Sequence, residues 1–168
     1  NNIVQNGNLL PAALAAKERG VIFDVGHGGG SFDFTIAEPA IQQGAPPDTV
    51  STDIHIYSAN TPGKPQMPWL MSKFLSLGFS LEQIITMTTQ SPANLIGKVD
   101  KLGTLQLGAP ADVSILELVE EEVELIDSGG GGKKLNKRKG TRYLKPIKAI
   151  LAGRPFGTPH PPAPSSRS

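Results

Sequence analysis

Two short runs that start as strand-forming residues and stop abruptly at polar side chains constrain this chain more than anything else in it. Val21-Ile22-Phe23-Asp24-Val25 leads into Gly26-His27-Gly28, and one helix-length later Val50-Ser51-Thr52-Asp53-Ile54 leads into His55. Strands that end in metal-ligating or proton-handling groups are how a parallel barrel presents chemistry at its strand C-termini.

The residues around these runs fit the same pattern. Leu9, Leu10, Leu14 and several alanines recur at helical spacing over residues 9–19, with Asn8 as cap, Pro11 in the first turn and Gly20 as stop. Residues 21–25, β-branched and aromatic, predict a strand buried on both faces, the mark of a parallel sheet. Gly26, Gly28, Gly29 and Gly30 open a loop, and a short helix follows over residues 35–43, with Pro39 near its start and Gly44 closing it. After the turn at Pro46-Pro47, residues 48–54 predict the next strand. This is the order of a βαβ unit, so the fold class is α/β.

Beyond a Pro-rich loop at residues 59–68, a helix is predicted over residues 70–77, stopped by Gly78. Ser80 with Gln83 then forms a capping box for a helix reaching Thr89, which Ser91-Pro92 breaks. From Gly103 the texture changes, and residues 104–107, 113–116 and 122–126 read as short strands separated by turns. The chain thus divides into an α/β part at residues 1–100, a small β-rich domain with a basic loop at residues 101–152, and a disordered Pro/Ser-rich tail at residues 153–168. The basic loop begins with four glycines and carries Lys133, Lys134, Lys137, Arg138, Lys139, Arg142 and Lys145. Its composition is that of a solubilising segment. The acidic run from Glu117 to Glu124 offsets it and no aromatic platform accompanies it, which argues against a nucleic-acid patch.

Composition bounds the function classes. A chain of 168 residues with 38% apolar and 18% charged residues can bury one core. A formal charge of +1 lacks the field that draws a protein to nucleic acid or anionic lipid. No run of about 18 apolar residues could span a bilayer, and the opening Asn1-Asn2-Ile3-Val4-Gln5 does not look like a signal peptide. A soluble, cytoplasmic protein without nucleic-acid or membrane partners is expected. With no cysteine, any metal must be held by His or carboxylate. The missing initiator methionine reads as a fragment of a longer chain.

Asp53 is the strongest candidate, because a carboxylate at the end of a buried strand is costly to desolvate unless it is metal-bound, hydrogen-bonded or catalytic. The alternative is a structural Asp capping the next loop. His27 sits in a Gly-rich turn that lets a substrate or metal approach the backbone; a lone histidine is more often a packed or solvent-exposed residue. His55, two residues beyond Asp53, points to the same side if the strand continues. His160, in the Pro-rich tail, has no assigned role. A nucleotide-binding loop at residues 26–30 is disfavoured, since neither a Gly-Lys-Ser/Thr ending nor the dinucleotide spacing follows.

Taken together, residues 19–28, 47–55 and Met71-Ser72-Lys73-Phe74-Leu75-Ser76-Leu77-Gly78 resemble the amidohydrolase/deacetylase branch of the metal-dependent amidohydrolase superfamily, relatives of dihydroorotase. Ser80-Leu81-Glu82-Gln83, Ser91-Pro92-Ala93-Asn94-Leu95-Ile96-Gly97, Leu102-Gly103-Thr104-Leu105 and Gly108-Ala109-Pro110-Ala111-Asp112-Val113 resemble that superfamily's passage from its last barrel helix to a C-terminal β-domain. The resemblance covers residues 8–128. It implies a partial (β/α)8 TIM barrel, its last strands and helices, followed by a small β-rich C-terminal domain. It also implies one or two divalent metals, zinc foremost, in the complete protein. Members hold them with a His-x-His pair on the first strand, a carboxylated lysine on the fourth, histidines on the fifth and sixth and an aspartate on the eighth. Asp53 matches that aspartate, as metal ligand and catalytic group, while His27, at the end of strand seven, together with Gly28 and His55 would contact substrate.

No His-x-His occurs here, and a complete barrel needs about 200 to 250 residues. The resemblance therefore implies the last quarter of a barrel, inactive and poorly soluble by itself because strand edges and an apolar face stay open. The complete protein, a candidate homo-oligomer, would hydrolyse a C–N amide bond, or an ester, in a small molecule. Its metals would bring a water toward pKa about 7, and Asp53 would pass that water's proton to the leaving group. The alternatives are a dihydroorotase-type cyclic amide hydrolase and a non-catalytic interaction module whose basic loop and Pro-rich tail engage a partner.

Overall fold

The computed structural model describes residues 3–59, 66–129 and 135–157. The chain forms two compact units, one of residues 1–65 and 126–137, the other of residues 66–125 and 138–168. The division expected at residue 100 falls inside the second of them.

In the first unit, β1 (Val4–Gln5) and β2 (Asn8–Leu9) form a short antiparallel hairpin that leads into α1 (Pro11–Glu18). Pro11 opens that helix, where its missing N–H leaves no bond unmade. Leu10, not Asn8, occupies the cap position, without a side-chain bond. β3 (Asp24–Gly26), α2 (Phe34–Gln42) and β4 (Thr49–Ser51) then make the βαβ unit read from the sequence, with β3 and β4 parallel and Gly26 paired to Ser51.

Both strands are three residues long, and β3 begins later than predicted. Val21 and Ile22 lie outside it and are 47% and 48% exposed, so the strand buried on both faces does not extend to them. Phe23 enters β3 on the carboxylate of Asp48, whose Oδ2 accepts the Phe23 N–H at 2.8 Å and the Lys17 ammonium at 2.8 Å. Burial alone would raise the Asp48 carboxyl, but the hydrogen bonds from Lys17 and Phe23, with the charge of Lys17, outweigh it and hold the group below its ordinary value. Pro39 lies inside α2 rather than near its start. Phe32, Phe34, Ala40, Ala45 and Val50 supply buried apolar surface in this unit.

In the second unit, α3 (Met67–Ser76) starts before the predicted residue 70 and buries Trp69, Leu70, Phe74 and Leu75. α4 (Leu81–Thr88) opens with the predicted capping box: Ser80 Oγ accepts the Gln83 N–H, and Gln83 Oε1 accepts the Ser80 N–H. The break after α4 falls at Thr89, at φ −131° and ψ −75°. Pro92 stands in the first turn of the next helix, α5 (Gln90–Leu95), so Ser91-Pro92 begins a helix instead of ending one. Gly103 then passes against this junction, where a Cβ would lie 2.5 Å from the Thr89 carbonyl oxygen.

The β-rich part holds β5 (Val113–Val119), β6 (Val123–Ile126), β7 (Lys137–Gly140), β8 (Tyr143–Leu151) and β9 (Arg154–Phe156). β8 lies between β5 and β9 in an antiparallel sheet, and β6 pairs with β7. Ser72 ties α3 to β8 by accepting the Leu144 N–H at 2.9 Å while donating to the Pro68 carbonyl.

Three expectations are corrected. Residues 104–107 form no strand. Lys137, Arg138, Lys139 and Lys145 lie on β7 and β8 rather than in a loop, Lys139 paired with Glu122 at 2.9 Å and Lys145 with Glu117 at 3.2 Å. The basic residues thus lie on two strands, where Lys139 and Lys145 meet the acidic run expected to offset them. The tail is ordered as β9 at its start; Lys133, Lys134 and His160 lie outside the described residues. Among the described residues no helix is long and apolar enough to cross a membrane.

Candidate functional site

The parallel pair ends as the sequence suggested, in polar residues, and its register decides which of them meet. Asp24 and Gly26 on β3 lie opposite Thr49 and Ser51 on β4. With side chains alternating along a strand, these four share one face, and Asp24 accepts hydroxyl hydrogen bonds from Thr49 at 2.7 Å and Ser51 at 2.6 Å. The pairing carries on past both strands, since the His27 N–H donates to the Ser51 carbonyl and the Gly28 N–H to that of Thr52.

Asp53 comes next on the same face. Its φ is +47°, in the left-handed region, so the chain turns there instead of extending. That turn brings its side chain over the glycines: a Cβ on Gly26 would lie 3.3 Å from Asp53 Cβ, and one on Gly28 would lie 2.6 Å from Asp53 Oδ2. The two missing side chains form the cradle in which the carboxylate rests. No hydrogen bond or ion pair holds that carboxylate among the described residues, and Asp53 is exposed. The loop-capping alternative is therefore not observed, and the desolvation expected at a buried strand end does not apply to this chain.

The other sequence candidates go different ways. His27 is fully buried, its ring stacked on Phe32 at 5.3 Å and its Nδ1 donating to the Gly28 carbonyl at 2.8 Å. His55 is exposed, with Nδ1 accepting the Tyr57 N–H at 3.3 Å and the ring edge-on to Tyr57. Because β4 stops at Ser51 and Asp53 is left-handed, the alternation that was to carry His55 to the side of Asp53 is broken. Gly28 is brought against Asp53.

Residues that sequence reading missed fasten the start of α2 and the loop that forms the cradle. Asp127 is fully buried and accepts the N–H groups of Gly129 and Asn136 on Oδ1 and those of Phe34 and the Asn136 amide on Oδ2. Ser128 Oγ accepts the Phe32 N–H at 2.8 Å and lies 3.1 Å from the His27 carbonyl and 3.0 Å from that of Phe32, to which it can donate. A signal for them existed: Val123-Glu124-Leu125-Ile126 is a third strand-like run that stops at polar residues, Asp127-Ser128.

As a metal site, the described residues offer a carboxylate donor at a strand end above an open glycine cradle, which suits one coordination position. They bring together no group of three His, Asp or Glu side chains around it. Asp53 fits as one arm of a ligand set and not as the set.

Most of the chain is similar to known proteins. The sequence profile of the amidohydrolase family matches residues 32–154. A deacetylase from Brucella anthropi is 36% identical over 155 residues, 92% of this chain and 38% of the relative. A deacetylase from Agrobacterium fabrum is 34% identical over the same shares. Among solved structures, an adenine deaminase matches with a TM-score of 0.80 at 32% identity, over 90% of this chain and 39% of that one. A dihydroorotase matches with a TM-score of 0.71 at 33% identity, over 87% and 38%. The chain thus spans well under half the length of the relatives it matches.

Proposed function

The chain belongs to the amidohydrolase family, and from that premise we propose that it supplies the closing strands and the C-terminal β-domain of a hydrolase that cleaves a C–N bond in a small molecule. The observation that carries the reading is the Asp53 carboxylate, without a partner among the described residues and laid over Gly26 and Gly28 at the C-terminal end of a parallel strand pair.

A divalent metal, zinc by preference, would supply an acidified water and a polarised substrate carbonyl. The part of this chain is narrower. Asp53 would hold that metal at one coordination position, accept the proton of the attacking water and hand it to the departing nitrogen. Gly28 keeps the space it needs. His55, whose ring is exposed, contacts the substrate, and His27 acts beneath that surface through its backbone and its bond to Gly28. The curated relatives named above are deacetylases, which supports an acyclic N-acetyl amide over a cyclic one.

The test is Asp53→Asn in the complete hydrolase. Metal-dependent release of acetate from N-acetylated amines should fall by about 10³-fold or more, the scale seen when a reacting group is removed. Turnover at the parental rate would overturn the reading, and cleavage of a cyclic amide but not of acetamides would favour the dihydroorotase-like alternative.

A further inference from the structure

We propose that Ser128 is a positioning residue for Asp53, acting through the loop that forms the cradle; this rests on the reading of Asp53 as the reacting carboxylate. The two are 75 positions apart in sequence, and nothing in the spacing joins them. The structure does so in two steps.

The first step is the loop itself. Residues 26–32 leave β3, turn, and enter α2. Their near end is fastened to the residues just before Asp53, by His27 N–H to the Ser51 carbonyl at 3.2 Å and Gly28 N–H to the Thr52 carbonyl at 2.9 Å. Their far end is fastened to Ser128. The Ser128 hydroxyl accepts the Phe32 N–H at 2.8 Å, and its single proton is shared between the carbonyls of His27 and Phe32. The Ser128 N–H donates to the Phe32 carbonyl at 3.0 Å. One side chain thus spans the mouth of the loop, touching His27 and Phe32 together, and it is 5% exposed.

The second step is contact. Gly28 follows the residue whose carbonyl Ser128 holds, and its α-carbon is the floor under Asp53 Oδ2. A shift of the His27 carbonyl moves Gly28, and with it the space open to the carboxylate. The ring of His27, stacked on Phe32, and the Nδ1 bond to the Gly28 carbonyl stiffen the span between the two fastenings. A buried histidine with no exposed edge is explained in this way as a strut of the cradle.

Ser128 touches neither substrate nor metal in this scheme, so its signature differs from that of Asp53. In the complete hydrolase, Ser128→Ala should lower kcat by about 10- to 100-fold and leave KM within about two-fold, because misplacing a reacting group by a fraction of an ångström to 1 Å costs up to that much. In the 168-residue chain the same change should speed hydrogen exchange at the Gly28 amide. Ser128→Thr, which keeps the hydroxyl, should recover kcat. Asn136→Ala is the structural control: it removes the side-chain amide bonds to Asp33 and Asp127, keeps the backbone N–H on Asp127 and does not touch Ser128, and should lower thermal stability while kcat stays within about two-fold. Should Ser128→Ala not fold, the near-isosteric Ser128→Cys replaces it, with the same loss of kcat expected.

A folded Ser128 variant without its hydroxyl that turns over at the parental rate overturns the proposal, as does a loss of kcat matched by Asn136→Ala. Full turnover by Asp53→Asn would instead overturn the functional reading beneath it, so the two failures are told apart.

Discussion

Gly28 and Asp53 occupy one volume between them: a Cβ on Gly28 would stand 2.6 Å from Asp53 Oδ2, inside contact distance, and φ at Gly28 is +47°. The glycine is therefore required twice, once by the left-handed backbone and once by the carboxylate lying on it. Gly28→Ala should destabilise the chain by about 1 to 2 kcal/mol for the backbone alone, and should displace the carboxylate. Thermal melts and turnover of the complete hydrolase check both effects. Gly26→Ala is the milder comparison, since Gly26 has no positive φ and its Cβ would meet Asp53 Cβ at 3.3 Å. Gly26→Ala matching Gly28→Ala in both measurements would contradict this account.

Asp53 itself sits at φ +47°, a strained place for a residue with a side chain. A carboxylate kept there for chemistry rather than stability predicts opposite effects on the two. Asp53→Gly should raise stability by about 1 kcal/mol, the strain a glycine does not feel, while abolishing hydrolysis. Asp53→Asn, which tolerates the left-handed region, should leave the melting temperature nearly unchanged and be as inactive. Loss of stability in Asp53→Gly would mean that the carboxylate serves the fold.

How much of this could be read beforehand depends on the range of the interaction. The βαβ order, the Ser80–Gln83 capping box and the placing of Asp53 at a strand end were legible, because each follows from residues a few positions apart. The meeting of Asp24 with Thr49 and Ser51 needed the register of a parallel pair, which periodicity does not fix. The side of His55 follows from alternation only where the strand continues, and one left-handed residue resets that alternation. The basic stretch has the composition of a solvated loop because lysines on two strands, paired with Glu117 and Glu122, look the same in sequence. Asp127 and Ser128 act on residues more than 90 positions away, a distance at which only their strand-end context pointed to them.

Asp48 gives a pH-dependent test that is independent of catalysis. Its carboxyl is held below the ordinary value of 3.8, so its ionised form is favoured by folding. The sign follows from linkage. The stabilisation is fully present above the unfolded value and disappears as pH falls through the depressed folded value. Asp48→Asn should cost about 0.5 to 1 kcal/mol at neutral pH, modest because the ion pair with Lys17 is partly solvent-exposed. The difference in melting temperature from the parent should close as pH falls below about 4. A difference that stays constant to about pH 2 would show that the carboxylate charge plays no part.

The buried carboxylate of Asp127 should be far less forgiving than that of its neighbour Asp33. Each Asp127 oxygen receives two N–H donors, Gly129 and Asn136 backbone on Oδ1, Phe34 backbone and the Asn136 amide on Oδ2. An asparagine must turn an NH2 toward one of these pairs, whichever way its amide is flipped, and leave one buried and one part-buried donor facing a donor. Asp127→Asn is thus expected to cost about 2 to 4 kcal/mol, from about 1 to 3 for the buried donor left unpaired and about 1 for the part-buried one. Asp33 caps α2 through Oδ1 alone, which accepts the Thr35 N–H and hydroxyl and the Asn136 amide. Asp33→Asn keeps an oxygen there, and since Asn caps a helix as well as Asp does, the cost should stay below about 0.5 kcal/mol. Denaturant melts of the two variants side by side decide the matter: equal losses would mean that removing either negative charge from the α2 N-terminus, rather than leaving buried donors unpaired, sets the cost.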